Sequence, residues 1–325
     1  MTCYHPIKGY WSKYPHPRTG KHYFTLKTQE ACVDLKMEVP CGRCIGCRIK
    51  RSKDWAIRCC HEASLHEENS FITLTYNDEH MPLTLVKRDF QLFMKRLRRA
   101  YPEKKIRYFH CGEYGSVCKN CGLSEKFCFR RGCQKYVKTL GRPHFHACLF
   151  GFDFSDKELW SVKGGHRLYR SPSLEKIWSD PETKKSYGFS TVGSVTFESA
   201  AYVARYVLKK FSNKDPQKVK NYYGEKLPEY TTMSRRDGIG KKWLTKNMKD
   251  VYPSDFILNN KFQKLKPPRY YDNIYDVIDH KSMLTIKAER LKILKQRGIT
   301  QKQIKAAEDI QARKLKKLIR EFEGG

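Results

Sequence analysis

Phe71-Ile72-Thr73-Leu74-Thr75-Tyr76 reads FITLTY, an apolar and β-branched run that alternates with the two-residue period of a strand. Over 86–100 the period changes: Phe90, Phe93, Met94 and Leu97 fall at helical spacing, so a helix follows the strand. Working outward, KIRYFHC at 105–111 reads as a second strand and PHFHACLFG at 143–151 as a third. GFSTVGSVTF at 188–197 reads as a fourth, leading directly into a helix at 198–211. Between the third and fourth strands, apolar residues near Leu159 and at Leu174, Ile177 and Trp178 suggest helical pieces broken by the Gly164-Gly165 loop. The order βαββαβ plus a final helix matches an α+β fold with a ferredoxin-like, split βαβ antiparallel sheet.

On either side of this core the composition shifts. Residues 1–66 are expected to form a Cys-rich N-terminal element, and 67–212 the main domain with a cysteine-rich insertion at 118–133. Residues 213–325 form a basic region whose last part, 281–322, reads as two amphipathic helices separated near Gly298, the second with Leu315, Leu318, Ile319 and Phe322 on one face. A length of 325 residues suits one sizeable domain with appendages, or two modest ones.

Lys and Arg number 65 against 34 Asp and Glu, a formal charge of +31, with aromatics at 13%. That combination points to a polyanion, since phosphates pair with Lys and Arg while bases stack on aromatic rings. No apolar run approaches a membrane span and the N-terminus has no basic-then-apolar leader, so a cytoplasmic protein without a membrane partner is expected. The 13 cysteines cluster in short spacings, which favours reduced, metal-binding thiols over disulfides. Cys118, Cys121, Cys128 and Cys133 have the spacing of a structural zinc site. Cys41, Cys44 and Cys47 supply three further ligands, with Cys3 the candidate fourth, whereas Cys32, Cys59, Cys60, Cys111 and Cys148 read as ordinary thiols.

Two segments carry candidate chemistry. His144 and His146, at i and i+2 of a strand, put both imidazoles on one face. A return from the preceding strand, lengthened by the insertion, could bring Glu113 of HCGEYG beside them. Two imidazoles and one carboxylate with open positions suit Mg²⁺ or Mn²⁺ acting on a phosphoryl oxygen. The second segment is ESAAYVARYVLKKF at 198–211, where Tyr202, Tyr206 and Lys209 form one polar stripe on a helix. Ala200, Val203, Ala204, Val207 and Phe211 form the apolar face beside it, which sets the tyrosines at its edge. A phenol with an ordinary pKa near 10 needs a cation such as Lys209 or Lys210, and a metal on the phosphate, to act as a nucleophile.

The ordered set FITLTYND, Glu113, HFH and YVARYVLKK resembles the three motifs of rolling-circle replication initiators of the HUH endonuclease class. The nearest likeness is to initiators of single-stranded DNA phages of the microvirus type, gokushoviruses in particular, through the paired tyrosines, Cys3 with CGRCIGC, CGEYG and GRPHFHACLFG. It covers about residues 1–212. Each motif alone is common; their order is specific. The resemblance implies an HUH nuclease domain in which His144 and His146 bind metal, with Glu113 the expected third ligand. Tyr202 and Tyr206 are then the nucleophiles, with Lys209 or Lys210 positioning the phosphate. It further implies site-specific nicking and rejoining of single-stranded DNA at a replication origin through a 5′-phosphotyrosine, leaving a 3′-OH primer, in the host bacterial cytoplasm.

The four-cysteine insertion departs from the shared core. The absence of a GxxxxGK[ST] motif means that unwinding falls to a host helicase and synthesis to a host DNA polymerase. Two alternatives stand beside this one. A non-catalytic zinc protein that binds single-stranded nucleic acid would use only the charge, aromatics and thiolates. An HUH relaxase would carry its tyrosine ahead of the histidines, and an HUH transposase usually relies on one tyrosine.

Overall fold

Three strands open the chain: β1 (Ile7–Ser12), β2 (Phe24–Thr25) and β3 (Ala31–Val39) make an antiparallel sheet of order β2-β1-β3. Helix α1 (Ile45–Ala63) follows, then β4 (Asn69–Thr75), α2 (Lys87–Ala100), β5 (Arg107–Cys118) and β6 (Lys138–Phe150). Next come β7 (Glu158–Lys163), β8 (His166–Arg170), α3 (Pro172–Ile177), β9 (Ser190–Gly193) and α4 (Phe197–Lys209). The remainder comprises α5 (Pro216–Tyr223), β10 (Tyr230–Met233), α6 (Lys241–Lys246), α7 (Met248–Val251), β11 (Ile257–Leu258), β12 (Lys264–Leu265), α8 (Arg269–Ile278), α9 (His280–Gln296) and α10 (Gln301–Lys317). This computed structural model describes residues 3–18, 20, 22–122, 128, 133, 138–163, 165–209, 216–259, 262–296, 298 and 300–317, with the side chains of 163, 205–209, 294, 295 and 315–317 excluded. Leu315, Leu318, Ile319 and Phe322, expected on one helical face, therefore lie outside the described side chains.

The described residues fall into two compact units, one holding those up to Arg51 and from Lys287 onward, the other Ser52–Ile286. The second unit is built on a seven-stranded sheet of order β10-β5-β6-β4-β9-β8-β7, antiparallel at every pairing. Its middle, β5-β6-β4-β9, is the order a split βαβ arrangement requires. The fold is thus mixed α+β with antiparallel sheets, as the strand and helix periods predict.

FITLTY is buried on both faces, and each face has its own core. Ile72 and Leu74 point to one side, where they meet Phe145, Ala147 and Leu149 of β6 and the apolar row Phe90, Phe93, Met94 and Leu97 of α2. Leu174, Ile177 and Trp178 complete that layer. Each such fully buried side chain contributes roughly 1.5–3 kcal/mol. On the opposite face Phe71 joins Phe109, Cys111, Cys148 and Phe150 beneath Ala200, Tyr202, Val203 and Ala204 of α4 and Ala56 and Cys59 of α1. A third cluster, with Ile57, Leu244, Val251, Tyr252, Ile257, Tyr271, Met283 and Ile286, packs most of the segment after β10 into the same unit.

The segment around Leu159 is a strand and not a helical piece. It pairs antiparallel with β8 through Leu159↔Tyr169 and Ser161↔Leu168, with a bulge between, and Gly165 in the turn has φ +80°. β7 is the outermost strand, with one neighbour, so its apolar side chains are not forced into a core and their spacing does not reveal the period. Glu113 lies within β5, not after it, because the β5–β6 ladder continues to Cys118↔Lys138.

Gly188, at φ +156°, lets the approach to β9 pass against the end of β4. A Cβ there would sit 2.5 Å from the backbone of Tyr76 and Asn77, atoms that cannot yield as a flexible side chain could. Gly188→Ala is expected to cost roughly 1–3 kcal/mol, visible as a lowered Tm in thermal denaturation. An unchanged Tm would contradict so close an approach.

Candidate metal and tyrosine site

Period-two alternation along β6 divides PHFHACLF cleanly. Phe145, Ala147 and Leu149 enter the α2 core, while Cys148 and Phe150 enter the α4 core. His144 and His146 share that second face and continue it toward the strand's N-terminal end. The register then fixes their neighbours: Glu113 of β5 stands opposite His144, and Thr73 of β4 opposite His146.

The carboxylate of Glu113 is wholly buried and one of its oxygens reaches both imidazoles, 2.7 Å from His144 Nε2 and 3.1 Å from His146 Nε2. One ligand atom from each of the three lies within 4.8 Å of the others, so the trio could hold a metal ion. The remaining ring nitrogens are held from behind. His146 Nδ1 is 2.9 Å from Thr73 Oγ1, and His144 Nδ1 can donate to the Arg142 carbonyl at 3.1 Å. Such outer contacts set tautomer and ring orientation, and here they aim both Nε2 atoms at one point. The donor set of two imidazoles and a carboxylate, clustered and oriented, fits a divalent cation with open coordination positions.

Tyr202 sits against this trio. Its ring centroid is 5.0 Å from that of His146, edge-on at 87°, and 6.4 Å from Phe71, whose own ring stacks on His146 at 5.7 Å. Tyr202 is buried within the α4 core layer, deeper than the edge position its helical wheel suggests. The wheel gives the angle between stripes but not the reach of the sheet beneath them. Tyr206 and Lys209 belong to α4, at one and nearly two turns beyond Tyr202, but their side chains lie outside the described residues, as does all of Lys210. Thr73, Phe71 and the Arg142 carbonyl were not singled out from the sequence. The signal for Thr73 was present in FITLTY, where it shares a face with Phe71 and Thr75.

His110, next to this row but on the other face, is buried against Phe90 with ring centroids 3.5 Å apart. Desolvation, then the neighbouring His146, holds its pKa well below the ordinary histidine value, so it is neutral near pH 7 and takes the part of a core side chain.

Two thiol clusters lie elsewhere. Cys3, Cys41, Cys44 and Cys47 bring their sulfurs within 4.8 Å of one another, as do Cys118, Cys121, Cys128 and Cys133. In the first, backbone N–H groups donate to sulfur: Cys41 to Cys3 Sγ at 3.3 Å, Cys44 to Cys41 Sγ at 3.2 Å and Tyr4 to Cys44 Sγ at 3.4 Å. Burial pushes the Cys41 thiol up, but the amides of Cys44 and Arg43 outweigh it and bring it down to about 7. In the second, the Gly122 amide closes a tight turn onto the Cys118 carbonyl at 2.8 Å. Both sets could hold zinc, and all thirteen cysteines are free thiols.

Residues 69–120, which contain β4, α2 and most of β5 with Glu113, match the family of the replication-associated protein ORF2. Replication-associated protein VP4 of Bdellovibrio phage phiMH2K is 29% identical over 284 residues, 85% of this chain and 77% of that one. The chain is a homologue of replication-associated proteins of microvirus-type phages. Replication-associated protein ORF2 of Spiroplasma virus 4 is similar over nearly the same extent, 28% identical across 84% of this chain and 79% of its own. Replication-associated protein ORF4 of Chlamydia phage 1 reaches 35% identity over 197 residues, 58% of this chain and 42% of that protein. No solved structure matches the chain.

Proposed function

We propose that this protein initiates rolling-circle replication as an HUH endonuclease, nicking single-stranded DNA at an origin with Tyr202, Tyr206 or both in turn. The observation that carries the proposal is the Tyr202 ring packed 5.0 Å from His146, itself one of three oriented donors converging on a point. The replication-associated homologues support the same assignment. So does the charge of +31, which suits a polyanionic strand.

Mg²⁺ or Mn²⁺ bound by Glu113, His144 and His146 would draw negative charge off a phosphoryl oxygen. The chain's own groups do the rest. Thr73 and the Arg142 carbonyl keep the imidazoles turned inward, and Phe71 covers the His146 ring and keeps water from that side. A tyrosine oxygen attacks phosphorus; an O–P bond forms to the protein and the P–O3′ bond of the DNA breaks. The proton lost by the phenol balances the one gained by the departing 3′ oxygen. One phosphodiester replaces another, so the strand can be rejoined without ATP and the free 3′-OH primes a host polymerase. Lys209 and Lys210 serve the phenolate, whose ordinary pKa near 10 needs a neighbouring cation. Unwinding is left to a host helicase in the bacterial cytoplasm. No helix among the described residues is long and apolar enough to cross a membrane.

The test uses end-labelled single-stranded oligonucleotides with Mg²⁺ or Mn²⁺ and a denaturing gel. A protein-linked band that EDTA abolishes is the expected product; cleavage without such a band, or with EDTA present, overturns the proposal.

The two thiol clusters are proposed as structural zinc sites, four thiolates each. Cys121→Ser is expected to lower the zinc content, measured by elemental mass spectrometry, from two ions per chain to one and to lower the Tm. Unchanged metal content would remove zinc from the insertion.

A further inference from the structure

The sheet face that carries the metal-site residues does not end at His144. Across β4, Thr75 stands opposite His144, and its backbone N–H and hydroxyl both donate to the Phe189 carbonyl, at 2.9 and 2.6 Å. Two residues on, Thr191 pairs with Thr73, so Phe189 shares the face of Thr73, Thr75 and the histidines. At the sheet edge beyond it, the Trp160 ring lies 5.9 Å from Phe189, and the Arg170 guanidinium carbon lies 5.3 Å from Trp160 and 5.7 Å from Phe189. Helix α4 does not cover this part: it packs over β5, β6 and β10, and Trp160 remains 55% exposed.

We propose that Trp160 and Phe189, with Arg170, form a stacking site for an unpaired base of single-stranded nucleic acid flanking the scissile phosphate. Adjacent strands lie roughly 4.8 Å apart, so β9 is only about 10 Å from β6, within reach of a neighbouring nucleotide. An indole with more than half its surface in water, flanked by a second ring and a guanidinium, presents a π-face that every base can use. Arg170 shares its charge with Glu175 at 2.6 Å, and Glu158 stands opposite it in the ladder, so stacking carries the site. Exposed Arg167 and the chain's net charge of +31 supply the attraction to the backbone. The bulge between Leu159 and Ser161 is the local device that turns Trp160 out of the regular alternation. Placing this base beside the scissile phosphate rests on the proposed nuclease site; stacking itself does not.

Fluorescence anisotropy of a dye-labelled 20-nucleotide single strand, at fixed salt and in EDTA so that no cleavage occurs, tests the site with the full-length protein. Trp160→Ala and Trp160→Leu should weaken binding roughly 5- to 100-fold, and Trp160→Phe should recover most of the loss. Affinity for a duplex of the same sequence should change little. Single-stranded DNA should also quench tryptophan emission more in the wild type than in Trp160→Phe. Binding by Trp160→Leu within about twofold of wild type, or an equal loss for duplex and single strand, would overturn the stacking site and leave this edge to a different kind of partner. If no covalent adduct forms in the nicking assay yet the Trp160 variants bind weakly, nicking falls and stacking stands. If the adduct forms and the variants bind like wild type, the reverse holds.

Discussion

His144→Ala/His146→Ala is expected to lower metal-dependent nicking of single-stranded DNA at least ~10³-fold, with affinity for the same strand reduced no more than about threefold. The rate effect follows from what the pair contributes. Charge stabilisation of a phosphoryl transition state by a bound cation is worth several kcal/mol, and about 1.4 kcal/mol is a tenfold change in rate. Affinity depends instead on phosphate pairing and stacking spread over a strongly basic chain. Losing both rings also leaves the fully buried Glu113 carboxylate without its two imidazole contacts, so a drop in Tm of a few degrees should accompany the loss of activity. Strand affinity, measured on the same preparation, separates a folded and inactive variant from an unfolded one. Nicking within tenfold of wild type would remove the metal trio from the chemistry.

Tyr202→Phe should show the opposite balance of effects. The ring stays, with its contacts to His146 and Phe71, so the Tm should change little, while only the hydroxyl is lost. If Tyr202 is the first nucleophile, adduct formation falls at least ~10³-fold in this single variant, and Tyr202→Phe/Tyr206→Phe abolishes it altogether. If Tyr206 attacks first, the single variant keeps the first nick and loses the later transfer. Retention of a protein–DNA adduct in the double variant would exclude both tyrosines.

Much of this arrangement was legible in the sequence because β4 and β6 obey one simple constraint. Each is covered on both sides, so their residues alternate between two cores, and FITLTY and PHFHACLF show which residues share a face with the histidines. The approach of Glu113 could be anticipated from a hairpin-like return, and the ladder pairs it with His144. What lay hidden depends on neighbours that periodicity does not report. β10, Tyr230–Met233, is four half-buried residues with no alternation, and it becomes a strand only because β5 offers an open edge. The β7–β8 hairpin exposes Leu159, Trp160 and Val162, so its apolar residues gave no period to read. The depth of Tyr202 is likewise set by the sheet under α4, which no helical wheel contains. The small N-terminal sheet was missed because β2 is two residues long and β3 is largely exposed along its length.

The most direct measurement is peptide mapping of the covalent product. After reaction with a single-stranded oligonucleotide and Mn²⁺, then digestion and mass spectrometry, the nucleotide-linked peptide should contain Tyr202 or Tyr206, modified through a 5′-phosphate, and should be absent when EDTA is added. A linkage at any other residue, or one that forms without a divalent cation, would contradict the account.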